Sequence, residues 1–382
     1  MRWGARLGAI GLTLCLTAAA CADDSAGPEP GRNSSSDTST ASNPSPRQTG
    51  FEADVAAIQE ETDTLVGGGT VPGIVVLARD GAEVHEAASG VAVLARQESM
   101  TPAHVLRIGS ITKPMVAVLV LKLVERGVLS LEDDVERWLP ELLPSGNAIT
   151  IEQLLSHSSG LADYLDSPRF PADLSQKPMS PRQLVGLGAA ELAAFPPGQG
   201  AEYSNTGYIV LGMIIERATG RSLASNLQRE VFAPVGMDST GFGHAAAVSK
   251  AAHGYESGED VTDLQLGWVW AAGAAVSNVH DVASFFTQLI SGRLVPQHLL
   301  ARMEDVGAPM PEVGVSGYGL GLAEVDTQCG TAWGHEGQLP GFVSAAWLNP
   351  KTDRQVVVLA NGSVDAPALA FQKLINKALC GS

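Results

Sequence analysis

The segment Arg107-Ile108-Gly109-Ser110-Ile111-Thr112-Lys113-Pro114, with Met115 to Gly127 behind it, constrains this chain more than any other stretch. Met115, Val116, Val118, Leu119, Val120, Leu121, Leu123 and Val124 are apolar almost all round a helical wheel. The spacing therefore predicts a helix buried on most faces and stopped at Gly127. A helix surrounded by protein holds its first turn rigidly. Ser110 and Lys113 stand three apart and share one face, which sets a hydroxyl beside an amine. A serine is a poor nucleophile until a base takes its proton, and a lysine becomes that base when burial and the positive end of a helix depress its pKa. Of the seven lysines, only Lys113 has a serine three residues before it. The competing use of the same residues is an N-capping serine with a solvated lysine one turn later.

Ahead of this segment, Arg2 and Arg6 precede an apolar run from Leu7 to Ala20, too short to span a bilayer comfortably, which predicts a secretory signal over residues 1–20. Cys21 follows directly and suggests a lipid-modified cysteine at the outer face of a membrane, with ordinary secretion as the alternative. Residues 21–50 are rich in Ser, Thr, Pro, Asp and Asn without apolar periodicity, which predicts a disordered linker. Residues 51–382 then form the catalytic domain, about 330 residues, the size of two packed lobes in one unit. The chain carries a formal charge of −17, more negative still once Arg2 and Arg6 leave with the signal, so nucleic acid and anionic membrane surfaces are excluded as partners. Cys329 and Cys380 are the only cysteines in the folded part of an exported chain, and a disulfide between them is expected.

An amphipathic helix is predicted from Phe51 to about Val66, then a hairpin of Gly73 to Ala78 and Glu83 to Ala88 around an Asp80-Gly81 turn. Capping boxes at Thr150/Gln153 and Ser180/Gln183 open helices, the first closing at His157. Helical periodicity continues over Thr206–Ala218, Ser222–Phe232 and Val279–Leu289. Strands return at Tyr318–Val325, Thr331–Gly334, Phe342–Leu348 and Gln355–Leu359, before a helix from Ala366 to Leu379. Sheet segments at both ends with helices between them predict an α+β fold whose antiparallel sheet joins the two termini and carries an inserted helical lobe, with a site between the lobes.

Two further groups carry chemistry. Tyr203-Ser204-Asn205 follows Phe195-Pro196-Pro197-Gly198, so a phenol and an amide could both face a cleft, although Asn205 would also serve as N-cap of a helix starting at Thr206. Gly334-His335-Glu336-Gly337 lies in a late strand. In this order, Ser-x-x-Lys, Tyr-Ser-Asn about 90 residues on and His-x-Gly some 130 further resemble the three signatures of the serine β-lactamase and penicillin-recognising enzymes. The chain looks most like the secreted D-alanyl-D-alanine carboxypeptidases of the class C branch.

The resemblance implies a five-stranded antiparallel sheet flanked by helices, with an all-helical lobe. It implies Ser110 as acylated nucleophile, Lys113 as its base and Tyr203 as proton shuttle to the leaving amine. Asn205 would bond the substrate amide, and the backbone N–H groups of Ser110 and Gln338 would form the oxyanion hole beside Gly337. His335 would contribute positive or hydrogen-bonding character, and Trp268 an aromatic wall. Neither a cofactor nor a metal is implied, and a monomer acting on a small peptide or β-lactam is expected. Glu336 departs from the usual small residue of the third signature and would repel a substrate carboxylate, and no arginine lies between Val306 and Gly330. An esterase, a D-amino-acid amidase or a β-lactamase on the same machinery is the alternative, and a non-catalytic surface binder a further one. A Gly-x-Ser-x-Gly elbow and His-Glu-x-x-His are absent from the sequence.

Overall fold

The strand Gly73–Asp80 is apolar on both sides, and that decides the layering. Ile74, Val76 and Ala78 pack on one face with Ile58 and Leu65 from the N-terminal helix and Phe371, Leu374 and Leu379 from the C-terminal one. Val75 and Leu77 pack on the other with the helical lobe. A sheet buried on both faces needs such continuous hydrophobic runs.

The computed structural model describes residues 50–381 except 145–147, 172–178, 244–249, 308, 311–313 and 365–366, so the expected signal, Cys21 and the linker up to residue 49 lie outside the described residues, while Gly50 already belongs to a helix. In chain order, α1 (Gly50–Gly67) leads into β1 (Gly73–Asp80), β2 (Glu83–Val93) and the short β3 (Glu98–Ser99). The chain leaves the sheet through β4 (Leu106–Arg107) into α2 (Thr112–Glu125), α3 (Val135–Trp138), α4 (Ile151–Leu155), α5 (Pro181–Gly188), α6 (Asn205–Thr219) and α7 (Leu223–Leu227). Short strands β5 (Gly241–Phe242), β6 (Tyr255–Glu256) and β7 (Glu259–Asp260) precede α8 (Trp270–Gly273), β8 (Ala275–Ser277), α9 (Val279–Ile290) and α10 (Gln297–Met303). The return comprises β9 (Gly317–Tyr318), β10 (Ala323–Thr327), β11 (Gly330–Leu339), β12 (Phe342–Asn349), β13 (Arg354–Ala360) and α11 (Pro367–Cys380).

The main sheet is antiparallel in the order β3-β2-β1-β13-β12-β11-β10-β9, so the first hairpin pairs with the last strand and the helical lobe is an insertion. Eight strands replace the expected five, because short strands extend both edges of the five long ones. The expected strand Tyr318–Val325 is instead two: Gly321, at φ +78, turns the chain between β9 and β10, which then pair with each other. Both predicted capping boxes form. Helix α2 is buried from Thr112 to Leu121 and again at Leu123, and each of its large apolar side chains contributes about 2 kcal/mol of burial.

Cys329 and Cys380 are bonded, Cα atoms 5.3 Å apart, closing a loop of 51 residues that ties α11 to the β10–β11 turn. Opening that loop in the unfolded chain changes its entropy enough that replacing both cysteines by serine should cost roughly 4 kcal/mol. Denaturant titration of the double variant under oxidising conditions measures this, and an unchanged midpoint would reject a stabilising role.

Candidate active site

Strand β4 pairs with β8 (Leu106 with Ser277, Arg107 with Val276), and the Ile108 N–H donates to the Ala275 carbonyl at 3.1 Å. The chain then turns at Gly109, φ +51, through a 3-10 turn into α2. The Thr112 hydroxyl donates to the Gly109 carbonyl at 2.7 Å and accepts from the Ala275 N–H at 3.1 Å, stitching this turn to β8. Ser110 is thereby held half-buried at the head of a rigid helix.

Lys113 is 0 % exposed, which excludes the solvated-lysine alternative. Its Nζ lies 3.0 Å from Ser110 Oγ, 2.7 Å from Asn205 Oδ1 and 2.9 Å from the Ala272 carbonyl. It also sits over the rings of Tyr203 and Tyr208, at 4.7 and 5.4 Å. Burial lowers its pKa to about 7, against the opposing charge of Asp163. A neutral amine there donates its two protons to the two carbonyl oxygens and turns its lone pair to the Ser110 hydroxyl. That is a base aimed at a nucleophile.

Helix α6 begins at Asn205, one residue earlier than expected, and its N-cap is Ser204, whose side chain caps nothing. The Asn205 side chain is thus free of the capping role. Its Oδ1 accepts from Lys113, while its Nδ2 donates to Asp163 Oδ2 at 2.7 Å, and its backbone N–H reaches the same oxygen at 3.0 Å. Asp163 fixes which end of the amide faces the lysine. Sequence reasoning missed Asp163: it lies 42 residues from Asn205 and carries only the local signal of a cap, accepting from the Leu165 N–H at 3.0 Å. Burial raises its carboxyl above the usual range. The Tyr203 ring lies beside Lys113, and burial holds its phenol well above its ordinary pKa against the opposing influence of the Ser110 side chain, so it stays protonated near neutrality.

In the third group, of the two characters expected of His335, the structure favours hydrogen bonding over positive charge. His335, on β11 opposite Ala346, is buried, with Nε2 3.0 Å from the Tyr318 hydroxyl and Nδ1 bonded to the Glu336 carbonyl. Burial and nearby Lys113 push its pKa down to about 3, so the imidazole is neutral and supplies no positive charge. Its ring centroid is 6.4 Å from that of Tyr203. Glu336 is next on the strand and therefore faces the opposite side of the sheet. It lies opposite Ala345 and takes a hydrogen bond from Trp347, both in the cluster under α1 and α11, and burial pushes it up to about 7. The expected repulsion of a substrate carboxylate is corrected accordingly.

Two glycines bring strand and nucleophile together. A Cβ on Gly109 would lie 2.9 Å from the Gln338 backbone nitrogen, and one on Gly337 would collide with the Ile108 carbonyl at 2.1 Å. Without a Cβ at either position the Ser110 turn and the Gln338 backbone come close together, as the expected pair of N–H donors would require. The Gln338 side chain is drawn off to the Val364 carbonyl at 3.0 Å. Trp268 is only 6 % exposed, its ring edge-on to Phe170 and its carbonyl accepting from the Tyr164 hydroxyl at 2.6 Å. It braces this loop instead of presenting an open wall.

A serine hydroxyl 3.0 Å from a wholly buried lysine, with Tyr203 and Asn205 beside that lysine on an α+β frame, is an arrangement that can run serine hydrolase chemistry. The model of the beta-lactamase family matches residues 57–376, and the chain belongs to that family. It is 34% identical over 173 residues (43% of this chain) to penicillin-binding protein 4* of Bacillus subtilis and 34% identical over 221 residues (51% of this chain) to esterase EstB of Burkholderia gladioli. The matched stretches span 37% and 54% of those two relatives' own lengths. Among solved structures it is similar to a D-stereospecific amidohydrolase from Streptomyces sp., with 31% identity, a TM-score of 0.77, and coverage of 86% of this chain and 99% of that one.

Proposed function

We propose that this serine hydrolase cleaves amides and esters of D-amino acids whose leaving group carries no free carboxylate, in preference to acting as a D-alanyl-D-alanine carboxypeptidase. The observation that carries this reading is the neutral His335, both nitrogens engaged with Tyr318 and the Glu336 carbonyl. Among the described residues, Lys113 is the only lysine or arginine bonded to Ser110 or Asn205, and it is wholly buried. On this reading a terminal carboxylate meets, among the described residues, no lysine or arginine bonded to these groups other than the buried Lys113. The likeness to an amidohydrolase described as D-stereospecific and to an esterase supports the same choice.

A hydrolysis panel tests it: a D-amino-acid amide, a short-chain ester, a D-alanyl-D-alanine peptide and a chromogenic cephalosporin. A missing charge-assisted hydrogen bond is worth about 1.5–3 kcal/mol, so the free-carboxylate peptide should be turned over roughly 10- to 100-fold more slowly than the amide. Preference for the peptide would restore the carboxypeptidase reading, and rapid cephalosporin turnover alone would point to a β-lactamase.

A further inference from the structure

Tyr203 lies outside any regular element, between the turns at Pro196–Gly200 and α6. A phenol that must stay aligned through acylation needs its backbone restrained on both sides. Both flanking peptides end on one residue. The Glu202 N–H donates to the His157 carbonyl at 3.0 Å, and the Ser204 N–H donates to His157 Nδ1 at 3.1 Å. The imidazole lies against the Tyr203 ring, centroids 4.4 Å apart and tilted 34°, and meets Tyr318 at 4.6 Å in an edge contact.

His157 does not close α4, as the sequence implied; that helix ends at Leu155 and Ser156 is its C-cap. His157 instead adopts φ +56, a left-handed conformation that costs a residue with a β-carbon on the order of 1 kcal/mol and persists where its surroundings impose it. Because Nδ1 accepts, the ring proton sits on Nε2 and the ring is neutral. Burial, with Lys113 and His335 nearby, keeps it so. Its hydrogen bonds end on the backbone around Tyr203, not on a reacting atom.

We infer that His157 is a positioning residue for Tyr203, clamping both flanks and backing the ring so that the phenol stays in line with Ser110 and the leaving group. This rests on Tyr203 as the proton relay. As the Ser110 oxygen bonds to the acyl carbon, the bond to the leaving nitrogen breaks. That nitrogen takes the phenol proton, and the proton given up by Ser110 returns to the phenol oxygen.

The relay matters in proportion to how badly the leaving group needs a proton. The test uses one acyl group on a series of leaving groups, p-nitrophenolate, phenolate, ethoxide and amide, with wild type and His157→Gly, since glycine tolerates the left-handed backbone while removing both the acceptor and the ring. General acid catalysis contributes about 10²-fold or more, so kcat for the amide should fall roughly 100-fold while the p-nitrophenyl ester changes by less than about threefold. In a Tyr203→Phe background the same replacement should have no further effect, which holds even where His157→Gly lowers the melting temperature. Equal losses across the series, no loss at all, or additive losses in the double variant would each overturn the inference. If wild type cleaves the esters but not the amide, the substrate proposal fails while the ester series still decides this one.

Discussion

Ser110→Ala is expected to abolish turnover of every substrate, by roughly 10⁴-fold or more, as for nucleophiles that act through an acyl intermediate. The Thr112 hydroxyl, two residues on, is not free to substitute, being bonded to the Gly109 carbonyl and the Ala275 N–H. The variant should fold, because Lys113 retains Asn205 and Ala272 as partners and Gly109 keeps its turn. A fluorophosphonate should add covalent mass at Ser110 in the wild type and none in the variant. Retained turnover or labelling at another residue would sink the mechanism.

The next largest effect belongs to Lys113. Lys113→Met keeps the volume of a buried side chain while removing the base, and acylation should slow by about 10³-fold. The wild type carries the matching pH signature. The amine serves as base only when neutral, and its pKa stands at about 7, so kcat/KM should rise about tenfold per pH unit below 7 and level off above it. Tyr203, held well above its ordinary pKa, places no falling limb near neutrality. His335, at about 3, places none either. A profile flat from pH 5 to 8 would exclude Lys113 as the titrating base, as would a Met variant that retains the rising limb.

The legible parts of the site were those written in short spacing. Ser110 and Lys113 share one helical turn, so a pair three residues apart in sequence is already a pair in space. Asn205 shows the limit of that rule. Its local context offered a cap, and only the approach of α2 and Asp163 to the head of α6 gives its amide two partners. Which of the two characters expected of His335 applies was not legible for a related reason. A histidine is a cation or not according to burial and neighbouring charge, and both come from residues far along the chain.

What the sequence by itself determined is whatever depends on periodicity and local chemistry: the buried helix α2, the capped starts of α4 and α5, the first hairpin, and the Ser110/Lys113 couple. Tertiary structure alone decided the ionisation of Lys113 and His335, the turning of Glu336 to the far face of the sheet, and the packing of Asp163 against Asn205 and of His157 against Tyr203. The physical reason is that desolvation and close backbone approach arise between segments far apart in the chain, from 42 residues for Asp163 and Asn205 to more than two hundred for Gly109 and Gln338, where no local pattern records the contact.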